Sequence, residues 1–431
     1  MRLLVWFAIV TGLLMAGPAQ AQVTPGEQAV LNGRAADVLA VLQGKRAESE
    51  VFGRNFQIEV SPEKLAAIVS QLEAQLGKLT GASVTSATGP GMASLDLQFE
   101  RATAGAVIAL DPAPPRLVSG FRIVSVGAVS DAPGTKSITE EFASMPGNAG
   151  FAVARLDESG PVTLDARLPD QLFAIGSAFK LWVLDAVAEE VAQGRLTWAQ
   201  VVPLGPPSLP SGVMQDWPTG MPVTVATLAT QMISISDNTA TDTLIRLVGR
   251  DRVEARLAAS GHSKPAAMQP LLTTSEAFRL KLGPQAARDA YSRSDGIGRS
   301  KIVNGLPAGI DVAQTDISGL AGGKPVAIDT IEWFASPADM VRVLDTLRRR
   351  SDSQVMAILG VAPGMAPELR RSFTAAGYKG GSEPGVLNLS WVLRRPSGTW
   401  YVVTASWNNP AAPIDNSRLE WLAQRMIGQT K

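Results

Sequence analysis

The chain has 431 residues, 45% of them hydrophobic and 18% charged, with 39 basic side chains balanced by 39 acidic ones. Such a length builds two or three folded cores, and a balanced charge without dense basic runs excludes the footprint of a nucleic-acid binder. Cysteine is absent and His262 is the single histidine, which excludes disulfides, thiolate metal sites, a cysteine nucleophile and a histidine-rich metal centre; no cofactor is called for.

Residues 1–21 read as a signal peptide, with Arg2, an apolar run from Leu3 to Met15 and the small-x-small site Ala19-Gln20-Ala21. The run is shorter than the ~20 residues of a spanning helix. Cleavage before Gln22 and export to the periplasm or medium, without a stable membrane anchor, are expected.

Residues 22–127 read as a small α+β domain. Glu27 to Leu42 has helical periodicity, with Val30, Leu31, Ala35, Val38, Leu39 and Leu42 on one side. A second helix follows Ser61, which reads as an N-cap ahead of Pro62 although Ser61 and Lys64 form an S-x-x-K. Strand-like segments follow at Ser83–Ala87, Ala93–Phe99, Ala106–Leu110 and Phe121–Val126. In its order of elements this domain is similar to NTF2-like folds. Residues 128–147 read as a linker with a short helix near Ile138 to Ser144.

From residue 148 the pattern changes. Strands are expected at Phe151–Arg155 and Val162–Arg167, then a buried helix from Ser177 to about Gln193, ended by Gly194. Thr224 caps a helix that Ser234 to Asn238 interrupts, and helical spacing resumes to Val248. Leu271 to Leu280 reads as a helix, and residues 283–330 as a long polar lid or insertion. Ser336-Pro337-Ala338-Asp339 is a helix start. Tyr378–Ser382, Asn388–Arg394 and Thr399–Ser406 read as strands before a closing helix through Leu419, Leu422 and Met426. Strands at both ends of this region predict one antiparallel sheet, with the middle forming a helical lobe.

Ser177 and Lys180 stand three apart at a helix start. A serine hydroxyl needs a base to become a nucleophile, and a lysine serves when burial and a nearby cation lower its pKa. Two further motifs follow in order, Ser236-Asp237-Asn238 and Lys379-Gly380-Gly381-Ser382. Together they resemble the class A β-lactamase and penicillin-binding-protein superfamily, marked by S-x-x-K, S-D-N and K-T-G. The resemblance covers residues 148–430 and implies an α+β, β-lactamase-like fold in which an antiparallel sheet is flanked by helices, behind the small NTF2-like domain.

It further implies that Ser177 attacks a lactam or ester carbonyl, Lys180 accepts its proton, Ser236 relays a proton and Lys379 polarises Ser236. Asn238 would bind a substrate amide, and the N–H groups of Ser177 and Ser382 would form an oxyanion hole. The partner is then a small molecule: a β-lactam, an ester or a cell-wall peptide. Two departures from the family stand out. Gly380 replaces a hydroxyl residue that helps bind a substrate carboxylate, a role open to Ser382. The E-x-x-x-N stretch that supplies the deacylation base is missing, because none of Glu254, Glu276, Glu332 and Glu368 has asparagine four positions on. An efficient β-lactamase is therefore less expected than the fold suggests, and esters become plausible substrates. The alternatives are a peptidoglycan peptidase or transpeptidase and a periplasmic binder that seldom turns over. A triad built on His262 has no supporting motif.

Overall fold

A computed structural model describes residues 24–100, 103–126, 137–306, 323–365 and 367–430; the expected signal peptide lies outside them. The described residues form two compact units, one N-terminal and one spanning 137–365 and 370–430.

In the N-terminal unit, α1 (Pro25–Leu42) starts at Thr24, whose hydroxyl accepts from Glu27 N. Its buried stripe is Leu31, Ala35, Val38 and Leu42. Val30, expected on that side, is exposed because it falls one position off the stripe. Next come α2 (Arg54–Glu59) and α3 (Pro62–Leu76), and the Ser61 hydroxyl accepts from Lys64 N at 3.3 Å. That S-x-x-K is thus a cap. β1 (Leu79–Gly89), β2 (Met92–Phe99), β3 (Thr103–Leu110) and β4 (Val118–Val126) form an antiparallel sheet in chain order. Leu95, Leu97 and Phe99 alternate into its core with Ala104, Ala106, Ile108 and Leu110.

The larger unit opens with α4 (Ile138–Ala143), then β5 (Asn148–Asp157) and β6 (Gly160–Arg167), a hairpin over the expected turn. β7 (Phe173–Ala174) leads into a 3₁₀ turn over Gly176–Phe179 and then α5 (Lys180–Ala192). Ser177 therefore sits in a tighter turn than the regular helix expected of it. α5 is buried on nearly all sides, and Leu181, Trp182, Val183 and Leu184 have no exposed surface, the mark of a central helix.

The helical lobe holds the short hairpin β8 (Val201–Pro203) and β9 (Pro222–Thr224), then α6 (Val225–Ser234), α7 (Asn238–Val248), α8 (Arg250–Ala259) and α9 (Thr274–Leu282). α9 starts three residues later than its apolar spacing suggests, because Thr273 and Glu276 close a capping box there. Two helices, α10 (Gln285–Arg293) and α11 (Gly296–Asn304), occupy the first part of the stretch expected to be loop or lid. β10 (Phe334–Ala335) pairs antiparallel with β7, and α12 (Pro337–Arg349) follows the Ser336 cap, then α13 (Ser353–Leu359).

β11 (Ala375–Glu383), β12 (Val386–Arg394) and β13 (Trp400–Asn408) complete the main sheet, ordered β11-β12-β13-β5-β6 and antiparallel throughout, before α14 (Asn416–Gln429). Both ends of the unit thus supply one sheet, as expected. β12 and β13 are buried along nearly their whole length because α12 and α14 both pack on this sheet. β11 is left at the edge.

Candidate active site

The site forms where the edge strand β11 meets the Gly176–Phe179 turn. A β-carbon on Gly381 would overlap the Ile175 carbonyl and stand 2.5 Å from Ser177 N and 2.7 Å from Ala178 N. Only glycine permits this approach. One from Gly176 would lie 3.2 Å from Ser382 N. The two backbones that carry the Ser177 and Ser382 amides are therefore in contact. Ser177 is half-buried and Ser382 exposed. The turn is held from below by Phe179, which stacks flat on Trp333 with centroids 4.0 Å apart, and by Ile175 N, which donates to Trp333 O at 2.9 Å.

Lys180 is fully buried one residue after the turn. Its Nζ lies 2.7 Å from Ser236 O, 3.1 Å from Ser236 Oγ and 2.7 Å from Asn238 Oδ1. Lys379 reaches the same hydroxyl from β11, with Nζ 3.0 Å from Ser236 Oγ and 2.5 Å from Gly380 O. Burial pushes the Lys180 pKa well below the usual lysine range and the Lys379 ammonium adds to this, while Asp242 and Asp237 pull the other way. Burial brings Lys379 down to about 7. A neutral Lys180 keeps two N–H bonds, to Ser236 O and Asn238 Oδ1, and offers its lone pair to a hydroxyl.

Ser236 is placed by a sharp reversal. α6 ends at Ser234 and Asp237 caps α7, so Ile235 and Ser236 alone turn the chain. Ser236 takes φ of 60°, a left-handed conformation uncommon for a residue with a β-carbon. Asp237 fixes the turn: its Oδ1 accepts from Ala240 N at 2.8 Å, and its Oδ2 from Val213 N and Met214 N at 2.7 and 2.8 Å. Asn238 N donates to Ser211 O at 2.9 Å and its Nδ2 to Leu209 O at 3.1 Å, leaving one amide hydrogen for a substrate. Asp242, also buried, binds Thr274, Ser275 and Ser208 and ties α9 to α7.

All eight residues singled out in the sequence thus lie on two facing walls. Ser177, Lys180, Ser236 and Asn238 come from the helical side, and Lys379, Gly380, Gly381 and Ser382 from the strand. Tyr378 was missed. A β-carbon on Gly380 would overlap the Tyr378 hydroxyl oxygen and lie 2.9 Å from its Cζ. The phenol therefore occupies the place of the side chain that Gly380 lacks, and the i, i+2 spacing was the available signal. His262 is not part of the site: its Nε2 lies 2.9 Å from Phe334 O and its Nδ1 accepts from Lys264 N. Glu276 closes the α9 cap and pairs with Arg250, and Glu254 accepts from Leu271 N. Among the described residues no group of His, Asp and Glu is arranged to hold a metal ion, and no helix is long and apolar enough to cross a membrane.

No curated protein matches the sequence significantly. Among solved structures, the chain is similar to a β-lactamase from Sphaerobacter thermophilus DSM 20745, at 22% identity over 68% of this chain and 92% of that one, with a TM-score of 0.45. It is similar to PBP-A at 18% identity over 68% and 93%, TM-score 0.45. It is also similar to an ancestral class A β-lactamase (GNCA) at 19% identity over 68% and 100%, TM-score 0.46. The model of the Beta-lactamase enzyme family matches residues 134–413, more than half of the chain and all three motifs, so the chain belongs to that family.

Proposed function

We propose that the protein is a serine acyl-hydrolase that forms an acyl-enzyme on Ser177 from a β-lactam or an ester. The observation that carries this is the Ser236 hydroxyl held between two buried lysine nitrogens, at 3.1 Å from Lys180 and 3.0 Å from Lys379. Ser177 Oγ attacks the carbonyl and Lys180 takes its proton. The oxyanion is held by the Ser177 and Ser382 N–H groups. Ser236, which accepts from Lys379, passes the proton to the leaving group. Asn238 and Lys379 orient the substrate amide and carboxylate.

The test is intact mass spectrometry of the protein with a chromogenic cephalosporin and with a fluorophosphonate. Wild type should gain one adduct, mapped to Ser177, and Ser177→Ala should gain none. Labelling that persists in Ser177→Ala sinks the assignment.

A further inference from the structure

Three ionisable side chains meet at the end of β11 and have no part in the acylation chemistry above. Lys281, the penultimate residue of α9, is buried with its Nζ 2.7 Å from Glu332 Oε1, and it also pairs with Glu383. Both carboxyls converge on this one ammonium. Two carboxyls set against one ammonium repel each other, and the like charge disfavours ionising both. Burial and the Glu332 carboxylate raise Glu383 well above the ordinary carboxylate range, Lys281 opposing. Of the three side chains, Glu383 has the most surface, at 10% against 2% for Lys281 and 1% for Glu332.

Position ties this cluster to the nucleophile. Side chains alternate along a strand, so Glu383 shares its face of β11 with Lys379 and with Gly381, the residue pressed against Ser177 N. It directly follows Ser382, whose N lies 3.2 Å from the Gly176 β-position. On the other side, Glu332 Oε2 accepts from Trp333 N at 3.1 Å, and Trp333 O holds Ile175 N, two residues before Ser177. Both carboxyls are therefore fixed to the backbone segments that form the nucleophile turn. A cluster serving only to fasten α9 needs one carboxylate for Lys281, and here there are two.

We propose that Glu383, backed by Glu332 and Lys281, is the base that activates the water clearing the Ser177 acyl-enzyme. The inference rests on the acyl-enzyme reading above and supplies the group that the missing E-x-x-x-N stretch left without a candidate. Water oxygen bonds to the acyl carbon as one of its protons passes to the ionised Glu383 carboxylate. The bond from the acyl carbon to Ser177 Oγ then breaks, and Glu383 returns the proton to Ser177 Oγ. The free acid leaves and Glu383 is again ionised. The charged groups set against Glu383 are Glu332 and Lys281, with Lys379 next on its own strand face and Arg288 bonded to the Lys281 carbonyl.

The test is a comparison of full-length wild type and Glu383→Gln with the same cephalosporin and with p-nitrophenyl acetate. Adduct formation and decay are followed separately by mass spectrometry. Glu383→Gln should acylate within a few-fold of wild type while decay slows by about 10²–10⁴-fold. A Ser177 adduct that forms and decays at the wild-type rate in the variant overturns the inference and leaves the acyl-enzyme reading standing. Wild type that forms no Ser177 adduct and turns over neither substrate overturns both. Should Glu383→Gln not fold, the decay of the wild-type adduct decides. Its rate should fall as pH drops through the raised ionisation of Glu383, and a rate independent of pH overturns the inference.

Discussion

At the scale of single residues, the proposed chemistry depends on the charge of the two buried lysines. Lys180 can act as a base only when neutral, and the Lys379 ammonium helps keep it so. Removing that cation lets the Lys180 pKa climb back toward its ordinary value. For Lys379→Met, the acid limb of the labelling rate against pH is expected to move to higher pH, on the order of one unit. A fluorophosphonate carries no carboxylate for Lys379 to bind, so its labelling rate isolates the effect on the base. An unmoved limb would show that Lys379 does not tune Lys180. The identities of these residues were all legible in the sequence. Their protonation was not, because it depends on burial and on a second lysine 199 positions away, a separation read directly from Lys180 and Lys379.

At the scale of elements, β11 is shaped by what it must let approach. Gly381 clears room for the nucleophile turn, while Gly380 clears room for Tyr378, whose ring lies 4.9 Å from that of Trp391 and beside Gly364. The aromatic is wedged, so a side chain at 380 has nowhere to go. Gly380→Ala should cost about 1–3 kcal/mol in urea denaturation through overpacking. In a Tyr378→Ala background most of that cost should vanish, since the two sites share one volume. Equal costs in both backgrounds would mean that Tyr378 does not fill the space. The departure Lys-Gly-Gly-Ser is thus half of a pair, the other half being the residue just before the motif.

At the scale of the whole molecule, burying two lysines in the site has a linked effect on stability. An unfolded lysine holds its proton to about 10.5, whereas folded Lys379 holds it only to about 7. Below pH 7 both states are protonated and the folded state carries the full penalty. Between about 7 and 10.5 the unfolded chain binds more protons, so this site's contribution to stability rises with pH across that window. Lys180, shifted in the same direction, adds to the slope. Wild type should therefore gain more stability than Lys379→Met between pH 6.5 and 9.5, as about two points inside and below the window. Parallel urea midpoints for the two proteins would contradict the shift.

The sequence by itself determined what is local. Period-two alternation at Leu95, Leu97 and Phe99 marked a strand with one buried face, and Ser61, Thr224 and Ser336 marked helix starts because a cap uses a hydroxyl three residues from its donor. The three motifs, in order, indicated the family and the eight residues that the structure brings together. Only the tertiary structure decided the rest. The turn at Ser177 is 3₁₀ because it must fit against β11. The stretch that read as loop contains α10 and α11, which bury only Tyr291 and Val303 and so offer no run of apolar positions to read. Tyr378 faces Gly380, and Glu332 and Glu383 meet across Lys281, because pairings of residues far apart in the chain are set by how elements pack and leave no periodic trace in the sequence.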